Sequence, residues 1–242
     1  MEPWKFQSAR DLDLSPNEKN RSLRRESGLA STVLRFCWWS AMRGSLRVFH
    51  RLEIIGAENL PKDPSFVLVA NHASHLDALV LGSALPMRLR HLVFPLAAGD
   101  TFFETPLTAA FSANILNALP VWRKNRGSHD VKVLRRRLVE EPSIFILFPE
   151  GTRSRTGEMA AFQAGVGMMT AGTSVPVTPC YLHGAFHAFP PDRRLPRFTK
   201  LRLCIGKPLC FENEINRRKG WKEVTARLEE EVRRLGESET DA

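Results

Sequence analysis

Short apolar runs that alternate with helical patterns constrain the fold of this chain more than any other feature of its sequence. Seven such runs predict strands, at residues 52–55, 66–70, 91–96, 118–122, 144–148, 175–181 and 201–205. Helical patterns fill most of the gaps, at residues 74–85, 104–114, 128–140, 163–171 and 219–235. Strands and helices that alternate through short links are typical of an α/β domain. We therefore predict a single layered domain, with a mixed, mostly parallel sheet flanked by helices.

The composition allows a substantial core and favours a phosphate-bearing partner. The chain has 242 residues, of which 43% are hydrophobic, and a formal net charge of +9 with a pI of about 9.9. A basic body attracts nucleic acid, anionic lipid or a phosphorylated metabolite. The four cysteines form no CxxC pair and no zinc spacing, so we expect buried or idle thiols in a reducing compartment. The N-terminus lacks the pattern of a secretory signal, and no apolar run is long enough to span a bilayer.

The first 50 residues divide into a polar N-terminal arm, at 1–27, and a predicted amphipathic helix, at 28–50. Apolar side chains recur at every fourth position of the helix, at Leu34, Trp38, Met42 and Leu46, with further aromatic residues and arginines among them. A helix that is both aromatic and basic often lies in a membrane interface. Packing on the domain's own core would explain the pattern equally well.

The remaining chain is predicted to form one domain, at residues 51–236, followed by a short tail at 237–242. Internal repeats and low-complexity segments are absent from its sequence. A stretch rich in proline and arginine, at residues 189–196, interrupts the later part of the domain. We interpret this stretch as a plain basic surface loop.

The segment Asn71–Asp77 directly follows the predicted strand at 66–70 and offers a base and a carboxylate. Ser74-His75-Leu76-Asp77 has the form S-x-x-D, which predicts Ser74 as the N-cap of a helix and Asp77 in its first turn. His72 would then lie in the loop before the helix, where Asp77 can reach it. A carboxylate on one imidazole nitrogen leaves the other nitrogen as a base.

Three other interpretations of this segment stay open or are weaker. Ser74 and Asp77 could simply start a helix, with His72 incidental. His72, His75 and Asp77 are all metal-ligand types, but no further ligand stands at motif spacing, and His75 is expected to point away from His72. A serine hydrolase is disfavoured because the chain has no G-x-S-x-G motif.

The segment Phe148–Ser154 follows the predicted strand at 144–148 and offers a turn with an arginine. Gly151 permits a tight turn, and Arg153 can bind a phosphate with two parallel hydrogen bonds. Thr152 and Ser154 add hydroxyl groups. A plain surface turn carrying an arginine is a common alternative. In open α/β sheets, however, ligands bind just beyond the carboxyl ends of strands, so this segment and Asn71–Asp77 could face one cleft.

Four sequence blocks, in a consistent order, resemble the glycerolipid acyltransferase family, which includes the 1-acylglycerol-3-phosphate acyltransferases. The blocks are N-H-x-x-x-x-D at 71–77, a strand ending in Arg123 at 118–123, F-P-E-G-T-R-S at 148–154 and V-P-V-x-P at 175–179. The second block departs from the family pattern, because Trp122 stands where an acidic residue is common. The resemblance covers roughly residues 50–210.

The resemblance implies an enzyme that moves a fatty acyl group from an acyl thioester to the hydroxyl of a lysophospholipid. It implies His72 as the general base and Asp77 as its partner. The expected acceptor is 1-acylglycerol 3-phosphate, and the donor is acyl-CoA or an acyl carrier protein, with no cofactor and no metal. Backbone N–H groups near the helix start are expected to stabilise the oxyanion. Positions implied to bind substrate are Asn71, Ser74, Arg123, Glu150, Gly151, Thr152 and Arg153.

Two further function classes follow from the same features. One is the same chemistry on another acceptor, such as a lyso-aminolipid, because arginine suits phosphate and carboxylate alike. The other is a non-catalytic module that binds anionic lipid or nucleic acid through its charge, although the chain shows no familiar nucleic-acid motif. For the enzyme we expect peripheral attachment to an anionic membrane surface, on the cytoplasmic face, and no nucleic-acid partner.

Overall fold

The computed structural model of this chain describes residues 9, 11–26, 28–122 and 127–237. Its strands are β1 (Glu53–Ile55), β2 (Ser65–Ala70), β3 (Val93–Ala98), β4 (Leu119–Val121), β5 (Ser143–Leu147), β6 (Val177–His183) and β7 (Arg202–Ile205). Its α-helices are α1 (Pro16–Arg21), α2 (Leu29–Phe49), α3 (Asp77–Ala84), α4 (Gly99–Phe102), α5 (Pro106–Asn114), α6 (Gly127–Glu140), α7 (Gly165–Thr170), α8 (Ala185–Ala188) and α9 (Arg218–Glu237). Each of the seven predicted strands overlaps an observed one.

All seven strands belong to one sheet, in the order β1-β7-β6-β2-β5-β3-β4. β6 and β7 pair antiparallel, and every other neighbouring pair is parallel. The central strands β2 and β5 are apolar along most of their length because both of their faces are covered. The predicted fold class, a mixed and mostly parallel sheet flanked by helices, is confirmed.

Helices cover both faces of this sheet. Along β2, Phe66 and Leu68 point to the face that carries α2, α3 and α8. Val67 and Val69 point to the opposite face, which carries α6, α7 and α9. This alternation follows from the two-residue period of a strand.

Within the N-terminal arm, residues 11–26 pack on the domain. α1 lies against α5, and Arg21 Nε donates a hydrogen bond of 2.8 Å to the carbonyl of Phe103. Arg25 is buried and donates to the carbonyl of Ala118 at 3.0 Å. Residues 11–26 thus support α5 and the start of β4. The predicted C-terminal tail lies outside the described residues from position 238 onward.

α2 has one buried face, and apolar side chains are exposed around the rest of the helix. Arg35, Trp39 and Leu46 are buried against the domain. The apolar side chains that stay exposed are Leu29, Val33, Leu34, Phe36, Val48 and Phe49. Core packing therefore accounts for one side of the helix pattern, and membrane contact by the other side stays a prediction. No helix in the described ranges is both long enough and apolar enough to cross a membrane.

Candidate active site

The two motif segments meet at one edge of the sheet. β2 and β5 are neighbouring parallel strands, so the chain leaves both at the same edge. Asn71–Asp77 follows β2, and Phe148–Ser154 follows β5. A backbone hydrogen bond of 2.8 Å, from Ser154 N to the carbonyl of His72, joins them. The prediction that both segments face one cleft is confirmed by this geometry.

The carboxylate of Asp77 holds the imidazole of His72. The Nδ1 atom of His72 lies 2.8 Å from Oδ2 of Asp77. The Asp77 side chain is 1% exposed, whereas the His72 side chain is 22% exposed. An ionised carboxylate can only accept, so Nδ1 carries the hydrogen and Nε2 keeps its lone pair. The pair has the arrangement of a general base with a carboxylate that orients it.

The start of α3 differs from the predicted capping box. α3 begins at Asp77, and Leu76 stands at the N-cap without a side-chain hydrogen bond. The Ser74 hydroxyl accepts from Leu76 N at 3.1 Å and donates to the carbonyl of Phe189 at 2.9 Å. Ser74 is therefore not the N-cap, because its hydroxyl closes a local turn and contacts a distant loop instead. The placement of Asp77 in the first turn was correct.

Asp77 also closes the backbone of the loop that precedes α3. Its Oδ2 atom accepts from the backbone N–H groups of Ala73 and Ser74, both at 2.8 Å. Together with Leu76 N, which donates to Ser74 Oγ, these donors are already used. The prediction that N–H groups ahead of the helix stabilise an oxyanion is wrong for these three groups.

Phe148, from the second segment, supports the imidazole of His72. Its ring stacks on the imidazole of His72, with centroids 4.1 Å apart and planes 13° apart. From the sequence, Phe148 was placed at the end of a strand and at the start of the second motif, but this contact was not predicted. The hydrogen bond to Asp77 still allows the imidazole to rotate about the direction of that bond. The stacked ring of Phe148 restricts this rotation.

Asn71 and Glu150, two of the residues implied to bind substrate, both form hydrogen bonds to the backbone. Asn71 is buried, and its amide accepts from Leu182 N at 2.8 Å and donates to the Leu182 carbonyl at 3.2 Å. Glu150 is buried and accepts from His72 N at 2.6 Å and from Ala160 N at 2.9 Å. Burial raises the pKa of Glu150, and the two backbone hydrogen bonds oppose that rise. Both side chains thus position the loops around His72.

The turn after β5 presents Arg153 beside the cleft. Gly151 has φ of +75°, and a Cβ there would lie 2.5 Å from Nε2 of Gln163, so glycine is required. Arg153 Nη1 is in hydrogen-bond contact with the imidazole of His75. Burial lowers the pKa of His75, and the Arg153 cation lowers it further, so the neutral ring can accept from the guanidinium. Thr152 is exposed at the same turn.

Arg123, the remaining position implied to bind substrate, lies outside the described residues. Its block is β4, an edge strand beside β3. The preceding backbone is anchored, because Trp122 N donates to Oδ2 of Asp130 at 2.9 Å. Trp122 also packs closely on Gly99, where an added Cβ would meet its ring at 2.6 Å.

The weaker metal interpretation finds no cluster to rest on. Among the residues that the structure describes, no group of three or more histidine, cysteine and acidic side chains could hold a metal ion. His75 contacts Arg153 and does not join His72 and Asp77 as a third ligand.

An apolar cavity of about 510 Å³ opens beside the base. Its polar end is lined by His72, Thr152 and Arg153. Its apolar lining comes from α2, β3, α4, α5 and α7, and includes Trp38, Phe102, Phe111, Leu116, Val166 and Met169. Sequence reasoning missed this cavity, because its lining residues are scattered along the chain. The aromatic pattern of α2 was the available signal, since Trp38 and Trp39 both line the wall.

The chain belongs to a known protein family. A family model described as "Acyltransferase" matches residues 51–183, which is more than half of the chain. The order of the four motif blocks and the His72–Asp77 pair, which resemble the glycerolipid acyltransferases, agree with this membership.

Several relatives carry one name. A chloroplastic 1-acyl-sn-glycerol-3-phosphate acyltransferase of Brassica napus, BAT2, is 30% identical over 175 residues, which are 71% of this chain and 48% of the relative. The 1-acyl-sn-glycerol-3-phosphate acyltransferase of Saccharomyces cerevisiae is 27% identical over 198 residues, 76% of this chain and 59% of the relative. The chain thus spans about half the length of the curated relatives it matches.

A solved structure has the same fold. It is the 1-acyl-sn-glycerophosphate acyltransferase PlsC from Thermotoga maritima, with a TM-score of 0.59 and 24% identity. The match covers 81% of this chain and 77% of the other. At this identity the likeness supports the fold of the sheet and its helices.

Proposed function

We propose that this protein transfers a fatty acyl group from an acyl thioester to the hydroxyl of a lysophospholipid, foremost 1-acylglycerol 3-phosphate. The observation that carries the proposal is the His72–Asp77 pair at 2.8 Å, together with the apolar cavity that His72 and Arg153 both line. The names of the relatives support the same acceptor.

In the proposed reaction, Nε2 of His72 takes the proton from the acceptor hydroxyl. The acceptor oxygen attacks the thioester carbonyl, and the carbon–sulfur bond of the resulting tetrahedral intermediate then breaks. The thiolate leaves with the proton from the imidazolium, which returns His72 to its starting form. Asp77 holds the Nδ1–H tautomer and stabilises the imidazolium while it exists. No covalent acyl-enzyme is required by this sequence of steps.

Arg153 is proposed to bind the phosphate of the acceptor. It stands in a turn that Gly151 shapes, beside the cavity that His72 lines. A guanidinium suits phosphate because it can form two parallel hydrogen bonds. Fixing the phosphate would bring the acceptor hydroxyl to the base and so lower the entropic part of the barrier. Arg123, implied by the resemblance alone, is proposed as a second phosphate contact.

The apolar cavity is proposed to hold a fatty acyl chain. Its volume of about 510 Å³ lies within the range of roughly 300–1,000 Å³ that is usual for ligand pockets. Aromatic and aliphatic side chains line it beyond His72. A chain bound there would place its carbonyl end near the base.

We also propose peripheral attachment to the cytoplasmic face of a membrane. The exposed apolar side chains of α2, together with Arg43 and Arg47, suit the interface of an anionic bilayer. A lysophospholipid acceptor would then be reached from the surface in which it resides.

The test is an acceptor panel with one acyl-CoA and, separately, one acyl carrier protein as donor. Products are identified by mass spectrometry, and thiol release is followed in parallel. The proposal expects phosphatidic acid from 1-acylglycerol 3-phosphate as the main product. If a lyso-aminolipid is acylated in preference, the acceptor is a lyso-aminolipid and not 1-acylglycerol 3-phosphate. Retardation of nucleic acid in a gel shift, with no thiol release from any acceptor, would favour the non-catalytic module.

A further inference from the structure

The loop between α8 and β7 carries an exposed surface that is both basic and apolar. Every residue from 192 to 198 is exposed. The loop has three arginines against a single acidic residue, Asp192. Leu195 is 77% exposed and Phe198 is 70% exposed. A loop that contacts only water is expected to lack large exposed apolar side chains. The sequence interpretation of a plain basic loop is therefore incomplete.

This loop continues the exposed face of α2. The ring of Phe198 stacks on that of Phe49, with centroids 5.0 Å apart and planes 23° apart. The chain then returns past the end of α2, where Leu201 N donates to the carbonyl of His50 at 2.9 Å. We define the loop patch as Phe49, Arg193, Arg194, Leu195, Arg197 and Phe198.

The other end of the loop is attached to the catalytic segment. The carbonyl of Phe189 accepts hydrogen bonds from Ser74 Oγ at 2.9 Å and from His75 N at 3.4 Å. The ring of Phe189 lies 4.8 Å from that of His75, centroid to centroid. The loop patch is therefore fixed in space relative to the His72–Asp77 pair.

We propose that the loop patch docks this protein onto an anionic lipid bilayer. Its arginines match the charge of lipid phosphates, and its aromatic and aliphatic side chains match the headgroup level. The inference deepens the proposed function and rests on it for the consequence of docking. Contact at the loop patch and at α2 together would hold the catalytic edge of the sheet against the surface that carries a lysolipid acceptor.

The charge of the patch is tested with vesicles of phosphatidylglycerol and phosphatidylcholine. One variant of the full chain carries Arg193→Gln, Arg194→Gln and Arg197→Gln. The matched control carries Arg217→Gln, Arg218→Gln and Lys222→Gln, three exposed residues at the start of α9, on the opposite face of the sheet. At low salt, each arginine of the patch is expected to contribute about fivefold to binding, so the first variant should bind on the order of a hundredfold more weakly. The control should stay within a few-fold of the wild type.

The apolar part is tested with Leu195→Ser combined with Phe198→Ser. Binding that survives high salt reports apolar insertion, because screening removes only the electrostatic part. This variant should lose that salt-resistant binding. All variants should keep the thermal transition of the wild type, because the changed side chains are exposed. Activity on a short-chain acceptor dispersed in solution should also be kept, because no changed residue contacts the base.

Several outcomes would overturn the proposal. One is equal loss of vesicle binding in the loop variant and the α9 control, which would mean that net charge alone attracts the protein. Another is undiminished binding in both loop variants. A third is that the loop arginines are needed to bind RNA or an acidic carrier protein but not vesicles. The proposed function fails separately, if wild-type protein binds vesicles through the patch yet acylates no lysolipid.

Discussion

Replacing Asp77 by asparagine should slow catalysis by roughly a thousandfold while the fold is kept. The carboxylate lies 2.8 Å from Nδ1 of His72 and is almost fully buried. Two opposite charges about 4 Å apart attract by about 4 kcal/mol at an effective dielectric of about 20. The amide cannot supply this attraction to the imidazolium, and 4 kcal/mol corresponds to about three powers of ten in rate. The same range, about 10²–10⁴, is usual for loss of general-base assistance.

The amide should still support the loop, which makes the change informative. Its oxygen can accept from the backbone N–H groups of Ala73 and Ser74, as Oδ2 of Asp77 does now. Hydrogen bonds to a charged group are worth about 1.5–3 kcal/mol against about 1 for neutral ones, so a moderate loss of stability is expected. Asp11→Asn is the control, since Asp11 is also buried and accepts a backbone hydrogen bond, from Glu26 N. It should leave turnover unchanged.

The measurement is kcat/KM for 1-acylglycerol 3-phosphate at saturating acyl-CoA, with thermal unfolding followed on the same samples. The reasoning would be refuted if Asp77→Asn stayed within about tenfold of the wild type, because the Asp77 charge would then stabilise no transition state. Loss of activity accompanied by loss of the thermal transition would instead make Asp77 a structural residue.

The remaining predictions concern the turn that carries Gly151 and Arg153. Arg153→Ala should lower kcat/KM for the acceptor with little change in the KM for acyl-CoA; equal damage on the donor side would mean that the arginine serves the carrier's phosphates. Because the pKa of His75 is lowered from its usual value near 6.5, its ring becomes a cation only in more acidic solution, where it would repel Arg153. The KM for the acceptor should therefore rise as the pH falls below the range in which an ordinary histidine titrates, and a pH profile that is unchanged in His75→Gln would contradict this. Gly151→Ala should destabilise the fold by about 1–3 kcal/mol in thermal or urea unfolding, since its φ is +75° and the new Cβ would meet Gln163; a stability equal to that of the wild type would show that the turn can relax.

The strands could be predicted because each is a local signal. The buried runs of β2 and β5 carry apolar residues on both faces, and polar motif residues end them. The order of strands in the sheet was not predictable in the same way. β2 pairs with β5 and β6 across long stretches of chain, and such pairing depends on contacts that no local window contains.

The contact between His72 and Asp77 was predicted from the sequence, but most of the contacts that support it were not. The pairing of His72 with Asp77 followed from their spacing around a helix start. The S-x-x-D pattern predicted the wrong N-cap. The Asp77 carboxylate binds the backbone of Ala73 and the Ser74 hydroxyl binds the carbonyl of Phe189, and these partners are evident only in the folded loops. For the same reason the backbone contacts of Glu150 and Asn71 were not predicted. Ala160, which donates to Glu150, lies outside the motif. Leu182, which donates to Asn71, lies far along the chain.

The measurement that tests the central assignment most directly is acyl transfer by His72→Ala beside His75→Ala. The two histidines are three residues apart, and the assignment gives only His72 a part in proton transfer. At saturating acceptor and acyl-CoA, kcat of a folded His72→Ala protein should fall by about 10²–10⁴. His75→Ala should keep most of its kcat and show its defect in the KM for the acceptor, because His75 contacts Arg153 and not the base. Wild-type kcat in a folded His72→Ala protein would contradict the account.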